Sequence, residues 1–340
     1  MGPSHATSYD VAREAGVSQS TVSRALRNDP RVSLATRERI REIADTIHYV
    51  PNLAAQSLIT GHSRSIAVFV ADLQNPVYPQ LVDAVQSTLS ERGYRMLLLS
   101  DSTEGSREGD LDALRGGLVA GTLFMQARVN STLAEDLLQQ GLPLVVVSRD
   151  VTSSKAEGID RFVADSSNGG VIIADYLHAL GHRRIAAISG PEYIPSILRR
   201  DTSFRTRLAE LGNPLDESLV RRGPIEHATG LTFGTELLSL PDRPTVIYCG
   251  TDYIAFGAID AANRLGVRIP EDVQVIGYDD LAMASWSMFN LTTVRQPLTE
   301  MAVAGTHRLI DRIEGTYVET PERVMFPVNL VERGTTAQLS

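Results

Sequence analysis

Over residues 8–28, SYDVAREAGVSQSTVSRALRN, apolar positions return at helical spacing in two short bursts separated by Gly16. The spacing predicts two short helices joined by a tight turn. Ala12 is small enough for the helices to approach closely, and Gly16 supplies the positive φ of the turn. Val11 and Val22 supply the apolar contact, with Leu26 facing inward. Thr7 and Asp10 have the spacing of a capping box, and Ser18 caps the second helix. A third helix runs from about Leu34 to His48, is capped by Ser33, and turns Ile40, Ile43, Ala44 and Ile47 inward. Pro51 breaks it. In YVPNLAAQSLITG, residues 49–61, Asn52 caps a fresh helix over Leu53 to Ile59, and Gly61 ends it. That helix is too short to be stable alone in water. It needs a partner, which DNA or a second copy of itself can supply.

From about Ser65 the pattern becomes alternating strand and helix. SIAVFVAD is an apolar run suited to a buried parallel strand, and VYPQLVDAVQSTLSERG is an amphipathic helix closed by Gly93. YRMLLLSD, GTLFMQ and PLVVVS are further strands, with helices near 107–118 and 132–141. A second cycle opens with FVAD and continues through a helix at 168–180, RIAAISG, a helix from Arg200 to Leu211, TVIYCG, a helix from Ala255 to Leu265, and VQVIGYDD. Two successive sets of βα units predict two doubly wound α/β subdomains. LTTVRQP and a helix at 298–314 recross to the first subdomain. A last strand, about 323–333, is expected in the second.

Charge divides the chain unevenly. The formal net charge is −9, yet residues 1–64 carry +2 and the remainder −11. A weakly basic head on an acidic body confines attraction for a polyanion to one end. The single cysteine, Cys249, permits no internal disulfide and fits a reducing cytoplasm. No window of 18 apolar residues and no signal peptide is visible, so no membrane contact is expected. Phosphate-cradling, nucleophile-elbow and zinc-protease motifs are absent, which argues against an enzyme. His178 and His182 have i, i+4 metal spacing, but Gly181 ends the helix between them. No metal and no cofactor are expected.

The second helix presents polar chemistry outward. Gln19 can bond adenine in bidentate fashion, and Arg24 can do the same to guanine. Ser20, Thr21 and Ser23 can hold phosphates. An ordinary helical hairpin and a helix-turn-helix both satisfy these spacings. The longer motifs decide between them. DVAREAGVS-x-x-TVSRAL, VS-x-x-TRERI and YVPN-x-x-A-x-SL-x-TG closely resemble the headpiece and hinge of LacI/GalR transcription regulators. Later blocks continue the resemblance over almost the whole chain: DLQNPVY, GHRRIAAISGP, CGTDYIAFGAIDA, GVRIPEDVQVIGYDD and LTTVRQP.

The resemblance implies an all-α helix-turn-helix headpiece over 1–51, a hinge over 52–64, and a core over 65–340 built like a periplasmic binding protein. Its N-subdomain would be 65–161 with 292–322, and its C-subdomain 162–291 with 323–340. It implies DNA contacts by Thr7, Ser18, Gln19, Ser20, Thr21, Arg24, Arg31, Asn52, Ala55 and Leu58, the last as a wedge in the minor groove. Asp72, Tyr78, Ser148, Arg200, Ile225, Thr251, Asp279 and Gln296 match positions that line the effector pocket. Ile225 stands where an aromatic ring is common, and Trp286 or Phe289 in ASWSMFN is an alternative source of one. Phe289 replaces a common proline, which leaves that loop's shape open. Asp252 reads as a helix N-cap. The implied partners are a pseudo-palindromic operator, a sugar-like effector and a second copy of the chain. Residues 335–340 are too short for a tetramerising helix, so a homodimer is expected. The competing reading is a solute-binding protein or sugar-processing α/β enzyme whose first helices only pack.

Overall fold

The computed structural model describes residues 6–26, 28–49, 63–100, 118–125, 137–138, 141–148, 150 and 158–339. They fall into two compact units, Met1–Ser63 and Arg64–Ser340.

The described residues of the first unit form a cluster of three helices: α1 (Ser8–Ala15), α2 (Gln19–Leu26) and α3 (Leu34–Thr46). The Thr7–Asp10 capping box forms, with Thr7 Oγ1 accepting from the Asp10 N–H and the Asp10 carboxylate accepting from the Thr7 N–H. Gly16 ends α1 at φ 63°. Ser18 Oγ accepts the Thr21 N–H at 3.2 Å, and Ser33 Oγ the Thr36 N–H at 3.3 Å. Val11, Val22, Ala25 and Ile40 are wholly buried where the three helices meet. Burying Val11, Val22 and Ile40 is worth roughly 1.5–3 kcal/mol each, and here it holds together helices too short to stand alone. The proposed hinge, with Asn52, Ala55 and Leu58, lies outside the described residues, as do the helices expected near 107–118 and over most of 132–141.

The second unit holds two parallel sheets. The first has the order β11-β5-β4-β3-β1-β2, with β1 Ser65–Val70, β2 Arg95–Ser100, β3 Gly121–Phe124, β4 Leu144–Val147, β5 Asp160–Ala164 and β11 Arg323–Phe326. Strand β1 is apolar on both faces because both faces are covered. Ile66, Val68 and Val70 enter one cluster and Ala67 and Phe69 another. Helices α4 (Val77–Glu91) and α9 (Leu298–Glu314) pack together beside this sheet. The second sheet has the order β7-β6-β8-β9, with β6 Ile185–Ser189, β7 Val220–Arg222, β8 Val246–Cys249 and β9 Gln274–Ile276. Its helices are α5 (Ser166–Ala179), α6 (Pro195–Glu210), α7 (His227–Leu238) and α8 (Asp252–Leu265). An antiparallel pair, β10 (Thr293–Arg295) with β12 (Asn329–Val331), joins the crossover segments. Among the described residues no helix is long and apolar enough to cross a membrane.

Three expectations are corrected. FVAD does not open the second cycle: β5 pairs with β4 and β11 in the first sheet, so the chain crosses after Ala164 rather than at 161. Residues 323–333 are not one strand of the second subdomain. Arg323–Phe326 pairs parallel to β5, and only the chain beyond returns, where the Val275 N–H donates to Thr335 O at 3.1 Å. The subdomain boundaries near 161 and 322 shift accordingly. Strand β7 and helix α7 were missed. HATGLTFGTELL has weak amphipathic contrast because its small residues face a neighbouring helix: a Cβ on Gly230 would stand 1.9 Å from Ile254 O, and one on Gly257 2.0 Å from His227 O.

Candidate functional site

In the helical unit, the start of α2 carries the polar row. Ser18 and Ser20 are exposed, while Gln19, Thr21, Ser23 and Arg24 are half-buried. The hydroxyls hold one another: Ser18 Oγ lies 2.9 Å from Ser20 Oγ and 2.8 Å from Thr21 Oγ1. Gln19 Nε2 donates to Ser8 Oγ at 3.3 Å, which ties the row to α1. Arg39 donates to Ala15 O and braces the end of α1 from α3. Thr7 is exposed but committed to its cap. Arg31 is exposed and grips Asp29 through two nitrogens, and this pairing holds the Asp29 carboxyl well below its usual range. Arg31 would have to leave Asp29 to reach a phosphate.

In the α/β unit, the strand ends of the two sheets flank a narrow cleft with about 40 Å³ of free interior. Seven of the eight pocket residues expected from the sequence line it: Tyr78, Ser148, Arg200, Ile225, Thr251, Asp279 and Gln296. Asn75, Val77, Ile194, Ser196 and Ile197 line it too, and the sequence reading had not named them. Ser196 and Ile197 precede Arg200 by four and three residues on α6, so helical spacing alone could have found them. Asn75 is buried, and its side-chain oxygen accepts the Val77 N–H at 3.1 Å.

Asp72 does not line the cleft. It is exposed, and its Oδ1 accepts the Gln74 N–H at 2.8 Å, so the turn itself uses the carboxylate. The rings proposed from ASWSMFN are elsewhere as well. Phe289 packs on Phe256 with ring centroids 4.3 Å apart, and Trp286 is exposed. Among the described residues, Tyr78 is the one aromatic side chain in the lining. Asp252 is not the N-cap of α8. Thr251 fills that role, accepting the Ile254 N–H, while the wholly buried Asp252 accepts from the Leu281 N–H at 2.8 Å and Thr293 Oγ1 at 2.6 Å. Burial, and then the nearby charge of Asp279, push the Asp252 carboxyl up to about 8.

Arg200 is the centre of the cleft. It is 2% exposed, its guanidinium lies 3.2 Å above the centroid of the Tyr278 ring, and Nη1 donates to Gly250 O. Burial alone would lower its pKa, but Tyr278, Tyr248, Asp279 and Asp201 outweigh that and keep it charged. Its Nε is buried with no hydrogen-bond partner among the described residues. A buried donor left unpaired costs about 1–3 kcal/mol. A ligand acceptor placed there recovers that cost. Opposite, Asp279 Oδ1 accepts from Gln296 Nε2 at 2.6 Å.

Two lining residues hold uncommon backbone. Ser148 has φ 72° and Asp279 φ 129°. Each such non-glycine conformation costs on the order of 1–3 kcal/mol and gathers where a side chain must be aimed. The adjoining Asp280, at φ 56°, is fixed by Arg295 and Arg333 at 2.6 Å each. The set offers a cation, a carboxylate, amides and hydroxyls between aliphatic walls, which suits a small ligand rich in hydrogen-bonding groups.

The remaining candidates are structural. His182 is buried, with ring nitrogens 2.8 Å from Thr245 Oγ1 and 3.0 Å from Gln274 Oε1, and burial lowers its pKa. Among the described residues no group of His, Cys, Asp or Glu could hold a metal ion. Cys249 is buried and free, and burial pushes its thiol well above the usual range.

Comparison with known proteins reaches both units. The profile of bacterial regulatory proteins, lacI family, matches residues 7–52, and that of the periplasmic binding protein-like domain matches 174–336. The HTH-type transcriptional regulator DegA of Bacillus subtilis (strain 168) is 31% identical over 338 residues, covering 98% of this chain and 99% of DegA. A lac repressor dimer bound to operator and the anti-inducer ONPF matches with a TM-score of 0.84 and 26% identity, over 98% of this chain and 99% of that one. The complex of transcriptional regulator CelR with cellobiose matches with a TM-score of 0.74 and 30% identity, over 97% and 100%.

Proposed function

The chain belongs to the lacI family of bacterial regulatory proteins and is a DNA-binding transcriptional regulator, and from that premise we propose that it is a repressor controlled by a small polar ligand in the interlobe cleft. One observation carries the reading: the alignment with a transcriptional regulator spans 98% of the chain, headpiece and core together. The ligand is a sugar or sugar derivative. The lining of Arg200, Asp279, Gln296 and hydroxyl groups supports that class, as does the cellobiose complex of CelR. The chain binds its ligand and carries out no reaction on it. It works as a homodimer in the cytoplasm.

Gln19 and Arg24 read base edges from the major groove, while Thr7, Ser18, Ser20, Thr21 and Arg31 set the register on phosphates. Asn52, Ala55 and Leu58 belong to a hinge that engages the minor groove, with Leu58 as the wedge. Two copies related by a two-fold axis present two headpieces to an operator of matching symmetry. Ligand in the cleft alters the disposition of the two lobes, and so the spacing of the paired hinges. A coupling of about 1–3 kcal/mol between the sites is enough for a five- to 150-fold change in operator affinity. Selection from a pool of random duplexes by the purified full chain tests the DNA half. An inverted repeat is expected among the recovered sequences; recovery of unrelated sequences contradicts the proposal.

A further inference from the structure

Arg199 and Arg200 are neighbours on α6 with different surroundings. Arg200 lines the cleft. Arg199 is 34% exposed and reaches out of the second lobe, and its Nη1 donates to Asp150 Oδ2 at 2.6 Å. Asp150 follows β4 in the first lobe and is 2% exposed. Two more guanidiniums hold the same carboxylate, both from the first sheet. Arg323 on β11 donates through Nε to Oδ2 at 2.9 Å, and Arg161 on β5 has Nη1 3.6 Å from Oδ1. The pair therefore crosses between lobes beside the cleft, two residues beyond Ser148 and one turn beyond Ser196, which both line it.

We propose that Asp150 and Arg199 form a reversible latch that holds the lobes closed over the cleft and sets the position of Arg200 before any ligand arrives. The asymmetry of the contact is what makes it a latch. A buried carboxylate stripped of its only partner would be strongly disfavoured, and such a bond would scarcely open. Asp150 keeps Arg161 and Arg323 from its own lobe when Arg199 departs, so opening strands no buried charge. Arg199, already a third exposed, passes into water. The charge-assisted hydrogen bond at 2.6 Å then favours closure without locking it. Because Arg199 is joined directly to Arg200, engaging the latch fixes the turn of α6 that carries Ser196, Ile197 and Arg200 into the cleft. Arg199 and Asp150 are positioning residues in this account. The latch requires only the two-lobed fold, and stands or falls separately from the ligand and operator assigned above.

The test reads the distance between lobes in the ligand-free full chain. Cysteines replace exposed Thr320 in the first lobe and exposed Asn263 in the second, and carry spin labels; Cys249 is buried and takes none. Unlabelled protein in excess restricts the pulsed dipolar signal to distances within one chain. One short interlobe distance is expected to dominate. Arg199→Ala should raise the long-distance population about tenfold, the loss of one charge-assisted hydrogen bond, and Arg199→Lys should restore most of the short one. Asp150→Asn, which removes the charge from the other side, must reproduce the shift. Distributions in Arg199→Ala that overlay the parent, or a shift with one variant and not the other, overturn the proposal.

Discussion

At the scale of single residues, the proposed function rests its two halves on Arg24 and Arg200. Arg24 is half-buried on the polar row of α2. Arg24→Ala should cost about 1–3 kcal/mol on the selected operator and relax preference at one base position only. Competition binding against single-base operator variants checks this, and an equal loss on every sequence would assign Arg24 to phosphate. Arg200→Ala should leave operator affinity intact and abolish the response to a sugar that shifts the parent protein, read by calorimetric titration. The buried carboxyl of Asp252 yields a pH prediction. Its pKa is raised to about 8 in the folded chain, so between pH 4 and 8 the folded state holds a proton that the unfolded state has lost. Stability from this group therefore falls as pH rises through that window. Asp252→Asn, which keeps the shape and one acceptor, should flatten the fall in melting temperature between pH 5 and pH 8. An unchanged slope would locate the pH dependence elsewhere. These residues were not equally legible in sequence. Asp279 lies in the conspicuous block GVRIPEDVQVIGYDD, and Arg200 opens an R-x-x-x-F spacing with Phe204. The role of Asp252 was hidden because its partners, Leu281 and Thr293, come from distant turns.

At the scale of elements, the headpiece was readable because its signals are local. Caps, the Gly16 turn and the apolar spacing all act within a few residues, and Thr7, Gly16, Ser18 and Ser33 form the contacts expected of them. Helix α9 was legible for the same reason, with one apolar stripe and Gly315 at its end. Helix α7 was not. Its identity depends on what it meets, since Gly230 and Gly257 let α7 and α8 touch backbone to backbone. Gly230→Ala places a methyl group within 1.9 Å of Ile254 O. The helices must separate, and a loss of about 1–3 kcal/mol or more is expected in urea denaturation. A loss of only a few tenths would mean that the helices part freely. The crossover strands illustrate a further limit. Residues 323–333 have the composition of one strand, and only the pairing of Met325 with Val163 and of Leu330 with Val294 divides them between two sheets.

At the scale of the whole molecule, the cleft is assembled from segments more than 200 residues apart, from Asn75 to Gln296. No local pattern encodes that meeting. The order of strands predicts it, because both sheets turn their C-terminal edges toward one crevice. What composition could not reveal was which side chains the turns consume: Asp72 is spent on its own backbone, while Asn75, three residues later, lines the cleft. Under the proposed function, occupancy of this cleft alters the grip of α2 on DNA. Fluorescence anisotropy of a labelled duplex recovered by selection, titrated with the full chain across a salt series, tests it most directly. A panel of mono- and disaccharides supplies the second variable. Binding is expected to weaken steeply with salt, to fail on a scrambled duplex, and to shift five- to 150-fold with at least one sugar. Equal affinity for selected and scrambled duplexes, or an isotherm that no sugar moves, would contradict the proposed function.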